Sequence, residues 1–220
     1  MSAQRSTAMA VRFRAAERSD VEALARFADL ASRGSGPLGP FDLAFPGPEP
    51  ERLATLARIA ATPTVGWLHW SLFRVAEADG RVAAGAAGLA ADEVTTDERV
   101  RAVLGEIGWS EEEIDAAYER LAPALSALPP PPPGAWTIDH VATLPEYRGR
   151  GLVSTLLDQV LEEGRRRGFP FAQLDVLIGN DGARRIYERA GFRVVAEYVH
   201  PEFQRVLGSP GNLRMVKEPI

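Results

Sequence analysis

After Gly134 the sequence switches repeatedly between two periodicities, and that alternation leaves few folds open. Trp136 to Thr143 (WTIDHVAT) alternates as a strand does, the turn LPEYRGRG follows, and LVSTLLDQVLEEGRRRG from Leu152 spaces its apolar residues as a helix does. FAQLDVLI from Phe171 is again a strand. The loop GND, the helix GARRIYERAG, the strand FRVVAEY and a last strand near LRMVK complete the series. Strands alternating with helices favour a sheet with a parallel β-α-β core and helices on its faces. Ligands in such sheets bind at the carboxyl ends of the strands, where these turns fall.

Upstream, Val11 to Arg14 reads as a short strand, and Ser19 stands as the cap of a helix running to about Ser32. The stretch GSGPLGPFDLAFPGPEP reads as loop throughout, because proline removes backbone donors and blocks helix continuation. A helix follows over Glu49 to Ala61. Leu72 to Ala78 and Arg81 to Leu89 form a hairpin on Asp79-Gly80, a dipeptide suited to the positive backbone angles of a tight turn. Residues 92–135 are helical, with Ser110 and Glu113 as a capping box, until the five prolines Pro129 to Pro133 impose an extended conformation. Nothing before that run resembles a complete domain, so it reads as a loop within one domain spanning 1–220.

Composition removes several classes of function. A net charge of -5 without a basic run argues against nucleic acid as a partner. With no cysteine there is no disulfide, thiolate nucleophile or cysteine metal site, and His69, His140 and His200 match no metal spacing, so no metal is expected. The opening MSAQRSTAMAVRFRAAERSD lacks the apolar core of a signal peptide or a membrane span. The expected location is the cytoplasm, without a membrane partner.

Arg148-Gly149-Arg150-Gly151 lies between a strand end and a helix start, where unpartnered N–H groups and the positive end of the helix dipole make an anion site. It is neither the six-residue dinucleotide fingerprint nor a phosphate loop ending in Lys-Ser. Arg148 to Val153, R-G-R-G-L-V, resembles the signature of the GNAT acetyltransferase superfamily: Arg or Gln, two residues, Gly, one residue, then Gly or Ala. Val153 departs from it, and tuning of the site rather than its loss is expected. A second block, Asn180, Ala183, Tyr187, Gly191 and Phe192, is similar to another stretch common in that family. The resemblance is specific from Trp136 to Phe192.

This resemblance implies an α/β (α+β) fold: a single mixed, largely antiparallel sheet with a central parallel β-α-β unit and helices on both faces. Residues 136–192 would form the acyl-CoA-binding core, and 92–135 a helical insertion beyond the minimal fold. It further implies transfer of an acetyl group from acetyl-CoA, as co-substrate, to a primary amine by direct attack in a ternary complex. The backbone of Val141, Ala142 and Thr143 would pair with the pantetheine arm, and Arg148, Gly149, Arg150, Gly151, Leu152, Val153 and Ser154 would hold the phosphates. Asn180 would hydrogen-bond the arm or an ordered water, Ala183 would leave room beside it, and Tyr187 would both border the arm and protonate the leaving thiolate. Strand alternation puts Thr137, Asp139, Val141 and Thr143 on one face and His140 on the other. The family's strand-borne base falls at positions matching Thr137 and Asp139. Asp139 is therefore the expected base, directly or through a water, with His140 as the alternative and Asp175 as a weaker one. The acceptor, a small-molecule or peptide amine, stays unidentified, and a homodimer is compatible with all of this. The competing reading is a non-catalytic CoA-binding regulatory module or pseudoenzyme.

Overall fold

The structure is a computed structural model that describes residues 10–220. Strands β1 (Val11–Ala15), β2 (Phe73–Ala78), β3 (Arg81–Ala90), β4 (Ala135–Thr143), β5 (Phe171–Leu177), β6 (Arg193–Val199) and β7 (Gly211–Lys217) form one seven-stranded sheet in the order β1-β2-β3-β4-β5-β7-β6. Every neighbouring pair is antiparallel except β4 and β5. Helices α1 (Val21–Arg33), α2 (Pro40–Ala44) and α3 (Glu49–Ala60) follow β1, and α4 (Ala91–Val94), α5 (Asp97–Glu106) and α6 (Glu111–Leu125) separate β3 from β4. Helix α7 (Leu152–Arg166) makes the parallel crossover, α8 (Asp181–Arg189) precedes β6, and α9 (Pro201–Leu207) precedes β7.

Two apolar clusters cover opposite faces of the sheet. On one face α7 buries Leu152, Leu156, Leu157, Val160 and Leu161, spaced three and four apart. On the other, α1 buries Leu24, Ala25, Phe27 and Ala28 against α3 and β4. Each large side chain buried in this way contributes roughly 1.5–3 kcal/mol. Trp136 fixes the seat of α7: its indole Nε1 donates to the Val160 carbonyl at 2.9 Å. A Cβ on Gly88 of β3 or on Gly164 of α7 would stand 2.5 Å from its ring, so both glycines make room for it.

The hairpin turn forms as expected, with Asp79 at φ 52° and Gly80 at φ 74°. Two local expectations fail, each for a capping reason. Ser19 does not cap α1; it lies inside a short 3-10 turn, Arg18–Asp20, closed by the Glu17 N–H donating to Asp20 Oδ2 at 2.7 Å. The Gly/Pro-rich stretch contains α2, because Pro40 at its first position needs no N–H there and Asp42 accepts from the Gly39 N–H at 2.8 Å. Helix α9 starts in the same manner, with Pro201 at its first position and His200 Nδ1 accepting from the Glu202 N–H.

Candidate functional site

Strands β4 and β5 pair only over Ala135–Thr137 and Phe171–Gln173, and at the last pair Gln173 Nε2 donates to Thr137 Oγ1 at 3.1 Å. Beyond that point they diverge, although β4 runs on to Thr143 and β5 to Leu177. Among the described residues, one edge of β4 therefore carries backbone groups without a neighbouring strand, over the stretch containing Val141, Ala142 and Thr143. Its other edge pairs with β3 through a bulge: Asp139 faces Ala87 and Ala142 faces Gly85, so His140 and Val141 both lie opposite Ala86. His140 absorbs the extra residue with φ 53°, a left-handed conformation that a side chain bearing a Cβ rarely adopts.

The bulge overturns the face assignment expected from simple alternation. Val141 packs into the α7 cluster with Trp136 and Ile138, whereas Ala142 packs into the α1 cluster. His140 therefore shares the face of Thr137 and Asp139, and Val141 leaves it. The His140 ring is buried, stacked on Phe73 of β2 at 5.8 Å and tilted against Phe41 of α2 at 6.1 Å. Its Nε2 has no hydrogen-bond partner among the described residues. Asp139 is 55% exposed; its Oδ1 accepts the His140 N–H at 2.7 Å and lies 3.7 Å from His140 Nδ1.

After β4 the chain passes a 3-10 turn, Pro145–Tyr147, and enters the arginine-glycine turn with Gly149 and Gly151 both at φ 75°. No atom of the described residues lies within 4 Å of where a Cβ on either would stand, so these glycines answer to backbone angle and leave open space above the turn. Gly151 is the N-cap of α7 and offers no side chain to the first N–H groups, those of Leu152, Val153 and Ser154; the first turn holds no acid. Val153 packs its side chain against the α7 cluster. Arg148 Nε donates to the Thr143 carbonyl at 3.4 Å, and Arg150 lies over the Tyr147 ring at 5.3 Å. A free helix start, two open glycines and two arginines fit a pyrophosphate.

Across the cleft, Asn180 caps α8, its Oδ1 accepting from the Ala183 N–H at 3.3 Å. Tyr187 lies on the same helix face as Ala183, buried, with its ring edge-on to Phe192 at 6.2 Å. Burial pushes the Tyr187 phenol well above its ordinary value, and the negative charge of Asp139 adds to the push. Asp175, the weaker candidate for the base, is held by Arg214 of β7 through two hydrogen bonds of 3.0 and 2.9 Å. Burial raises its carboxyl above the usual range; Arg214 opposes this, and the charge of Asp139 reinforces it. The role of Arg214 was missed, yet GNLRMVK alternates polar and apolar residues, and that pattern marks Asn212 and Arg214 as sharing one face. A cavity of about 380 Å³ lined by Phe45, Arg52, Trp109 and Arg120 includes none of the candidate residues. Among the described residues no cluster of His, Cys, Asp and Glu is placed to hold a metal ion, and no helix is long and apolar enough to cross a membrane.

A divergent parallel strand pair beside a glycine-rich helix start is the setting in which the comparisons fall. A model of the acetyltransferase (GNAT) family matches residues 43–192. The chain belongs to this family. The GNAT match extends the resemblance upstream of Trp136, through the insertion and the β2–β3 hairpin, as far as α2. No curated protein matches the sequence. Among solved structures, an acetyltransferase is 25% identical with a TM-score of 0.68, over 95% of this chain and 100% of its own. The N-acetyltransferase from Staphylococcus aureus Mu50 is 17% identical with a TM-score of 0.69, over 93% of this chain and 99% of its own. The yncA protein of Salmonella typhimurium, solved with its cofactor acetyl-CoA, is 17% identical with a TM-score of 0.53, over 95% of this chain and 94% of its own. With the latter two the likeness is one of fold.

Proposed function

We propose that this GNAT protein transfers an acetyl group from acetyl-CoA to a primary amine by direct attack in a ternary complex. The observation that carries the reading is the unpaired edge of β4 beyond Thr137, which ends at the arginine-glycine turn and is flanked by Asp139 and Tyr187. Backbone groups of Val141, Ala142 and Thr143 bind the pantetheine amides as a missing strand would, and the phosphates sit on the N–H groups of Leu152, Val153 and Ser154 between Arg148 and Arg150. The amine nitrogen attacks the thioester carbonyl carbon, the C–S bond breaks, Asp139 takes the amine proton directly or through a water, and Tyr187 gives its proton to the departing sulfur. A backbone N–H of β4 stabilises the oxyanion. Burial keeps Tyr187 protonated, as a donor must be, and the role asked of it is carried by its position beside the open edge of β4.

A second assignment of the base rests on the bulge, which brings His140 to the same face with Nε2 unpartnered. The test of the whole reading is release of free thiol from acetyl-CoA in the presence of a panel of primary amines. Thiol release that depends on one of them supports transfer. Binding of acetyl-CoA without release on any amine supports the non-catalytic module, and no thermal shift or heat at millimolar acetyl-CoA overturns both.

A further inference from the structure

The insertion between β3 and β4 is fastened at several points along its C-terminal half. Near the middle of α6, Arg120 donates from Nε and Nη2 to the carbonyls of Leu43 and Ala44, at the end of α2, over 3.1 and 3.0 Å. In the last turn of α6 and just past it, Ala124 and Ala127 are buried with Phe203 and Leu207 of α9, and Asn212 Nδ2 donates to the Ala127 carbonyl at 3.0 Å. The proline run comes next. Prolines have carbonyls but no N–H, so the run cannot join the sheet and its inward carbonyls need outside donors. Arg214, 5% exposed, supplies them: it donates to Pro129 at 2.7 Å and Pro130 at 2.9 Å while holding both oxygens of Asp175. One guanidinium thus bolts the proline loop to a carboxylate that feels the charge of Asp139. Helix α2, at the other end of the span, presses Phe41 against His140.

Together α2, α6, the proline loop and α9 make an arch across the sheet face that carries Asp139, His140 and Asp175. We propose that this arch is the specificity element for the acceptor, admitting a small primary amine and excluding a polypeptide chain. The inference rests on the acyl-transfer reading above. An extended peptide spans about 3.3 Å per residue and needs an open trough on one side of a reactive N-terminal amine, or on both sides of a lysine. Here a trough would have to break the Arg120 or Arg214 hydrogen bonds, or separate Ala124 and Ala127 from α9.

The test compares small amines with peptides of roughly ten residues, about 33 Å of chain, bearing free N-termini and lysines. Thiol release from acetyl-CoA and mass change of the acceptor are the readouts, on the full chain. Release with one or more small amines and none with the peptides is expected. Arg120→Met, and separately replacement of Pro129–Pro133 by glycine and serine, should raise peptide kcat/KM by about tenfold or more while the small amine keeps its rate. Two variants guard against one failing to fold. Peptides acetylated by the wild type within about threefold of the best small amine overturn the inference and leave acyl transfer standing. Folded variants that gain nothing on peptides overturn the arch as the barrier. No acetylation of either class overturns both readings.

Discussion

Tyr187 is a buried phenol that keeps its proton, and the proposed reaction asks it to give that proton to the departing sulfur. Tyr187→Phe retains the ring against Phe192 and removes the donor, so acetyl-CoA affinity should change little while kcat falls by up to about a hundredfold, the low end for general acid catalysis. Calorimetry and turnover on the same preparation check the split, and full activity would leave Tyr187 as cofactor wall only. Asp139→Asn is a matched experiment, because an amide oxygen still accepts the His140 N–H and the bulge survives. It should lower kcat/KM by about a hundredfold, with His140→Gln costing less. The reverse order would make His140 the base. These two neighbours show where the residue types alone reach their limit. Alternation is a sound rule until a bulge intervenes, and the bulge depends on the register with β3, which no local pattern near His140 reveals.

At the scale of elements, the long periodic segments were legible and the short capped ones were not. Helices α1, α3, α6 and α7 follow apolar spacing, whereas α2 and α9 are a turn or two long and owe their existence to a proline start and a single cap. The Asp175–Arg214 pair joins β5 to β7 across 39 residues of sequence, so only strand pairing shows it. Where packing and propensity disagree, packing should win. Gly164→Ala improves helix propensity by about 1 kcal/mol in α7, yet the added carbon would stand 2.5 Å from the Trp136 ring, which its bond to Val160 holds in place. Overpacking of about 1–3 kcal/mol should lower the melting temperature, and an unchanged or raised value would show that α7 can shift. The junction of β1 and α1 gives a pH test. Burial works against the Asp20 carboxylate, but Arg14, at 2.6 and 3.0 Å, and the Glu17 N–H hold its carboxyl below the usual range. A depressed folded value means this stability is present above about pH 4 and lost as pH falls through the folded pKa. Asp20→Asn should melt lower at neutral pH and show a shallower loss of stability on acidification below about pH 4.

The whole molecule is two leaves of sheet, β1 to β4 and β5-β7-β6, joined directly by only the three residue pairs of the β4–β5 ladder. On one face the α7 cluster seals the join, drawing Trp136 and Ile138 from one leaf and Leu174 and Met215 from the other. On the opposite face Gln173 and Thr137 link the leaves at the last rung, and beyond it no ladder among the described residues connects them. A ligand lying in the divergence touches both leaves and α7 at once, so it should act as a missing strand for global stability. At a hundredfold excess over its Kd, acetyl-CoA should add about 2.7 kcal/mol, a rise of roughly 5–10 °C for a chain of this size. Nucleotides without the pantetheine arm occupy the turn but not the strand edge, and should shift the melt less. Gly151→Glu separates the phosphate contact from the fold: its carboxylate would meet the phosphates, and its left-handed φ costs about 1 kcal/mol in the free protein. The free variant should therefore melt a few degrees lower and show no ligand shift. Gly151→Asn is the control, since asparagine tolerates that conformation and brings no charge, so it should keep most of the shift. A full shift in Gly151→Glu would mean that the ligand's phosphates rest somewhere other than the start of α7.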